Sequence, residues 1–338
     1  MGIIDCLAAG FRLVARRWWV VLIPIALDLF LWMGPRLGVT DVVLDFRDLV
    51  LTQQQYVEVG SQEAREALMT QTQQILDQIA ANANLLVLLS AGIPGLPSLI
   101  AATMPKDSLL GPGPLFQVGN VGQITLWSAG LLVFGALLAS AYVTWIGRYV
   151  LRDGEQDTPA PLLRHALWTW SRVLLFAVGL LIAGLAIAVP TVLLLAFALA
   201  LSQGLAIIMI NLAAILFLWA VVWALVYFYF VVDAIVLNRV GVLRAMWNSI
   251  NVVTRNLWAS VGIVILIWII SNGIILILER LEFSAWGTLA GIVLNAFVGS
   301  SLTAASLFFY RERYRRWQEN PHAAGVNPFM RRWNGPQR

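Results

Sequence analysis

The chain has 338 residues, of which 60% are hydrophobic and only 12% charged, with a formal net charge of +4. A soluble domain carries about 25% charged residues, so a wholly soluble fold is excluded. The basic excess lies at the flanks of apolar runs, which argues against a nucleic-acid surface, and Cys6 as the single cysteine leaves no intrachain disulfide or cysteine-built metal site.

A hydrocarbon layer about 30 Å thick takes about 20 apolar residues of helix, and a helix satisfies its own backbone there. Residues 1–17 predict an interfacial amphipathic helix, and residues 18–34 a first span that contains Asp28 and closes at Gly34-Pro35. Arg16-Arg17 before this run resembles a signal peptide, but Asp28 and the lack of a small-residue cleavage site predict an uncleaved span. Residues 35–120 form an insertion far longer than an ordinary connection. Within it Glu58 to Leu89 has helical composition, with Leu68, Ile75, Ile79 and Leu86 as an apolar stripe. One long helix over the outer mouth of the bundle is expected there, followed by an apolar arm lying on the membrane. Leu85 to Met104 is uncharged but broken by Gly92-Ile93-Pro94-Gly95-Leu96-Pro97, so it predicts an interfacial or re-entrant turn rather than a further span. Over 121–310, five further spans are predicted at about 124–146, 173–199, 205–232, 257–278 and 283–310, with interfacial helices at 161–172 and 241–256. Residues 311–338 form a basic tail.

Arg and Lys near span ends set orientation. Arg12, Arg16, Arg17, Arg148, Arg152, Arg164, Arg172, Arg239, Arg244 and Arg255 all flank one side, as does the tail. The opposite side carries an uncharged turn, Ser202-Gln203-Gly204, and the acid-rich insertion. Both termini are therefore expected in the cytoplasm of a cell (inner or plasma) membrane, with the insertion extracytoplasmic. The predicted fold class is all-α: a polytopic six-helix membrane bundle with interfacial helices and a helical insertion.

The interfacial elements repeat. An offset of 239 pairs Val14 with Val253, Arg16 with Arg255 and Trp19 with Trp258, and an offset of 79 pairs Trp168 with Trp247. Three units of interfacial helix plus membrane hairpin are expected. In the last, Val242, Leu243, Met246, Ile250 and Val253 predict an apolar face, with Arg244, Asn248, Asn251 and Arg255 largely opposite.

The run Val232-Asp233-Ala234-Ile235-Val236-Leu237, then Gly241 to Ser249, then Asn256-Leu257-Trp258, is similar to bacterial six-span proteins grouped around the membrane domain of glycerophosphoryl diester phosphodiesterase and related uncharacterised families. The resemblance implies the acidic span end, the Ala-x-x-x-Ser interfacial helix (Ala245, Ser249) and the six-span layout. It implies no catalytic residues, and without a soluble phosphodiesterase domain that activity does not carry over.

Ionisable groups in a bilayer are costly and are candidate functional sites. Asp28 is the candidate for ion or proton handling, against a bundle-facing carboxyl bonded to neighbouring helices. Asn211, Asn272 and Asn295 are the other candidate intramembrane polar residues, with interhelical hydrogen bonding as their usual task. Asp233 is expected to form a structural ion pair with Arg239 or Arg244. Arg311, Arg313, Arg315 and Arg316 are expected to anchor on anionic lipid at the cytoplasmic face. His165 and His322, the only histidines, lie outside the spans, so neither a membrane haem nor a catalytic serine–histidine pair is expected. No cofactor and no nucleic acid is expected. The partners are the lipid bilayer and, on the first reading below, a membrane protein. Two readings follow: a non-catalytic accessory, scaffold or lipid-associated component, or a transporter or permease-like protein for a small or lipid-like substrate.

Overall fold

A computed structural model describes residues 2–54, 62–103, 113–152, 162–280 and 285–319. Among the described residues the fold is all-α apart from one three-residue strand pair. Five helices among the described residues are long and apolar enough to cross a membrane, and a shorter apolar stretch runs from Trp18 to Met33. The expected tail beyond Glu319, with His322, Arg331, Arg332 and Arg338, lies outside the described residues, as do positions 283–284 of the expected last span.

The chain divides into two compact units. The first comprises residues 1–17, 143–270 and 300–338. It holds α1 (Ile3–Arg16), α7 (Leu162–Leu201), α8 (Gln203–Phe228), α9 (Val231–Asn238) and α10 (Val242–Arg255), with parts of α6 (Val121–Arg152), α11 (Leu257–Arg280) and α12 (Ala285–Glu319). Its core is the wholly buried run Phe230–Leu237 on and before α9, where Phe230 stacks on Phe309 of α12 at 5.5 Å.

The offset of 239 holds residue by residue. Helices α1 and α10 have the same length, extended N-cap glycines Gly2 and Gly241, and C-cap residues Arg17 and Asn256 in similar conformations. Cys6, Ala9, Gly10, Leu13 and Val14 are buried on one, and their equivalents Ala245, Asn248, Ser249, Val252 and Val253 on the other. At the offset of 79, Ala166, Thr169 and Val173 are the buried counterparts of Ala245, Asn248 and Val252. The third interfacial element is not separate, however. Residues 161–172 were expected as their own helix, but described positions 162–172 are the first turns of the 40-residue α7, because no glycine or C-cap residue stops the helix before the apolar run.

The face that α10 turns inward also differs from the expected stripe. Leu243 is 79% exposed, while Asn248 and Asn251 are buried. In lipid the apolar side chains can face outward, and small or hydrogen-bonding residues let helices approach each other. Gly10 shows the same logic on α1: a Cβ there would run into the Ser301 carbonyl and sit 2.8 Å from the Ala305 nitrogen, both backbone atoms of α12.

The second unit comprises residues 18–142 and 271–299. Trp18–Val21 form a single 3-10 turn leading into α2 (Leu22–Met33). Strand β1 (Arg36–Gly38) pairs in parallel with β2 (Leu115–Gln117), so the two ends of the insertion meet. The insertion contains two packed helices, α3 (Thr40–Gln54) and α4 (Gln62–Asn82), where one helix over Glu58–Leu89 was expected. The missed helix carries Asp41, Asp45, Arg47 and Asp48, and Arg47 clasps α4 through Asp77 at 2.7 Å. Ile75 and Ile79, expected as part of a packing stripe, are 49% and 46% exposed. Chain reversal at Ala83-Asn84 ends α4 before Leu85, because the Asn84 side chain caps the next 3-10 turn (Leu85–Leu89) by accepting from the Leu86 nitrogen.

The segment from 85 to 103 contains no spanning helix. It comprises that 3-10 turn, an irregular stretch, and the five-residue α5 (Leu99–Thr103). Small residues of two long helices make room for it. A Cβ at Gly135 of α6 would meet the Leu89 backbone at 2.6 Å, and one at Gly299 of α12 would strike the Pro97 ring.

Candidate functional site

Asp28 is fully buried on α2. Its neighbours are supplied by the broken 85–103 segment. The Ser98 hydroxyl donates to one carboxylate oxygen, and the Leu99 nitrogen donates to the other at 2.9 Å. The Ile100 nitrogen approaches the first oxygen at 3.4 Å, and the Ser98 hydroxyl itself accepts from Ala101 at 3.1 Å. The carboxylate therefore takes up the free N–H groups that start α5, which would otherwise be left without partners in an apolar setting. Leu27, Leu31, Leu99 and Ile100 around it are nearly inaccessible.

Asp233 is also buried, and the Ser306 hydroxyl of α12 donates to it at 2.6 Å. The expected ion pair is replaced by this contact. Arg239 sits at the C-cap of α9 in the left-handed region (φ 49°) and is exposed, and Arg244 is half-buried on α10. A hydroxyl satisfies the carboxylate without drawing a guanidinium out of water, which is the costlier solution. Tyr229 adjoins both Asp233 and Ser306. Nearby, Asn238 donates to the Tyr310 hydroxyl at 2.7 Å, and Ser249 donates to the Tyr227 carbonyl at 2.6 Å. These links tie α8, α9, α10 and α12 together, and Ser306, Tyr310 and Ser98 were not singled out in the sequence. Ser98 could have been found as a Ser after Pro97 that opens an apolar helical run; Ser306 sits in a run of small residues with no distinguishing signal.

The three asparagines differ in exposure. Asn211 is exposed on α8, and its amide nitrogen donates to the Ile207 carbonyl at 2.8 Å on its own helix. Asn272 is exposed on α11, whereas Asn295 is buried on α12. The four arginines of the anchor are partly engaged within the protein. Arg311 donates to the Val150 carbonyl at 2.6 Å, and the Arg313 guanidinium lies 5.2 Å from the Phe309 ring centre. Arg315 pairs with Glu319 and Arg316 with Glu312, each at 2.8 Å, leaving Arg315 and Arg316 exposed. Burial pushes the Cys6 thiol on α1 above its usual range, which makes it a poor nucleophile. Among the described residues, no three His, Cys, Asp or Glu side chains come together as a group that could hold a metal ion.

No curated protein and no solved structure matches the chain. The family described as "Domain of unknown function (DUF7847)" matches residues 78–311, from the end of α4 to the first arginine of the basic cluster. That range takes in Ser98, Asp233 and Ser306 and leaves Asp28 outside it. With well over half of its length matched, the chain belongs to the DUF7847 family.

Proposed function

We propose that the protein is a non-catalytic, six-span component of the cell membrane that scaffolds or assists a membrane-protein partner or organises lipid around it. Trp18–Met33 is the sixth span, about 24 Å long as a helix and eked out by the aromatic pair Trp18-Trp19 at one interface. Both termini face the cytoplasm and the α3–α4 pair lies outside. The bacterial six-span families built around the glycerophosphoryl diester phosphodiesterase membrane domain are the proposed relatives. The observation that carries the reading is the use of Asp28. The carboxylate most suited to moving an ion is bonded to Ser98, Leu99 and Ile100 as a cap, and Asn211 and Asn272 are exposed rather than buried.

The test is purification from the native membrane in lipid nanodiscs, followed by mass spectrometry of proteins and small molecules. A stoichiometric second protein, retained in Asp28→Asn, is the expected result. A lone protein carrying one enriched metabolite that Asp28→Asn loses would overturn the reading in favour of transport.

A further inference from the structure

The α7–α8 hairpin is apolar on nearly every exposed face, so apolarity alone does not say what covers it. Asn211 does. It lies eight residues into α8, about 12 Å along the axis, within the hydrocarbon depth of a spanning helix. Helix α7 packs on the other side: Ala206 is buried, and Met209 and Ala213, following at steps of three and four residues, are half-buried. Asn211 shares the opposite face with Gly204, Ile208, Ile215, Leu218 and Val222, all exposed. A Cβ at Gly204 would touch nothing within 4 Å.

The Ile207 carbonyl takes one amide hydrogen of Asn211 at 2.8 Å. The amide oxygen and the second hydrogen have no hydrogen bond among the described residues, and lipid tails offer none, so a polar side chain on such a face still favours helix association. Asn both donates and accepts. In a two-fold contact the same residue of a second copy is its complement, with nothing further required of a partner. We propose that this face of α8 is the contact between two copies of the chain, with the two Asn211 amides bonded across the two-fold axis. The spacing of 204, 208, 211, 215, 218 and 222 is that of a two-helix seam, in which one buried Asn fixes register. The inference is independent of the scaffold reading and needs only that α8 cross the membrane.

The experiment uses the full chain reconstituted in bilayers, with dimerisation followed by energy transfer as the protein is diluted in lipid. Asn211→Leu is expected to weaken the dimer about three- to tenfold, and Asn211→Gln to restore part of it. Oxidative cross-linking should join copies carrying Ile208→Cys or Ile215→Cys and spare Ala213→Cys, which faces α7. Because the position is exposed, the variants retain the fold, which thermal unfolding in detergent checks. A wild-type protein that stays monomeric at every lipid ratio overturns the proposal. So do equal cross-linking at 213 and 215, or an affinity that Asn211→Leu leaves unchanged.

Discussion

Helices α8 and α12 both have the length and apolarity of membrane spans, yet they live in opposite surroundings. The most apolar stretch of α8 is mostly exposed, whereas that of α12 is mostly buried. The buried helix is the less hydropathic one. Small side chains at the contacts contribute to the inversion. Helix α12 contributes Gly291, Ala296, Ser300, Ser301, Ala304, Ala305 and Ser306 to close contacts, whereas α8 presents Ile, Leu, Phe and Trp outward. Between helices in lipid there is no hydrophobic drive to bury large side chains; on α12 the small residues permit close approach and hydrogen bonding, and Ile292, Leu302, Leu307, Phe309 and Tyr310 fill the remaining space.

The sharpest way to break this comparison is to enlarge a small residue on the packed side. Gly10→Leu forces a side chain into the α12 backbone at Ser301 and Ala305, and overpacking of that kind costs about 1–3 kcal/mol or more where backbone must move. The expected result is the largest fall in unfolding midpoint of any substitution named here, with labelling of the neighbouring Cys6 by a thiol reagent rising from its protected level. Asp28→Ala comes close behind, because it strands the Leu99 and Ile100 nitrogens. Each unsatisfied buried donor costs about 1–3 kcal/mol, and protease susceptibility of the 85–103 segment should rise while Asp28→Asn, which keeps an acceptor, loses less. Ser306→Ala removes the one described donor to Asp233 and should cost about 1–2 kcal/mol by chemical unfolding. The same truncation on α8, Leu218→Ala, should change monomer stability by no more than about 0.5 kcal/mol, since it leaves lipid contact rather than a cavity. A loss as large as that of Ser306→Ala would mean α8 is packed against something within its own chain.

Periodicity made the helices legible, and charge bias gave their expected sidedness. The 239-residue offset was readable from Val14, Arg16 and Trp19 and their equivalents, and the structure extends it to caps and buried faces. Which face of α10 turns inward was not readable, because a hydrophobic pattern cannot separate lipid from protein as the apolar neighbour. Helix α3 was missed because its acids and β-branched residues (Thr40, Val42, Val43) weaken helical propensity, and its support is tertiary, from Arg47 to Asp77. Asp28 was legible as a costly residue, but its partner lies 70 positions away at Ser98, beyond any local pattern.

The closeness of the two ends of α3–α4 has a practical side. The Thr40 hydroxyl donates to the Ala80 carbonyl at 3.0 Å, and the Leu37 nitrogen donates to the Asn84 side chain at 3.0 Å. Chain entering the helical pair and chain leaving it are thus neighbours, and closing so short a gap costs little entropy. The pair is an exchangeable cassette: a few glycines and serines could bridge Gly38 to Ala83 while β1, β2 and the Asp28-bound segment stay in place. A small fluorescent domain could be grafted at the same junction, giving a tag on that side of the protein without touching any spanning helix.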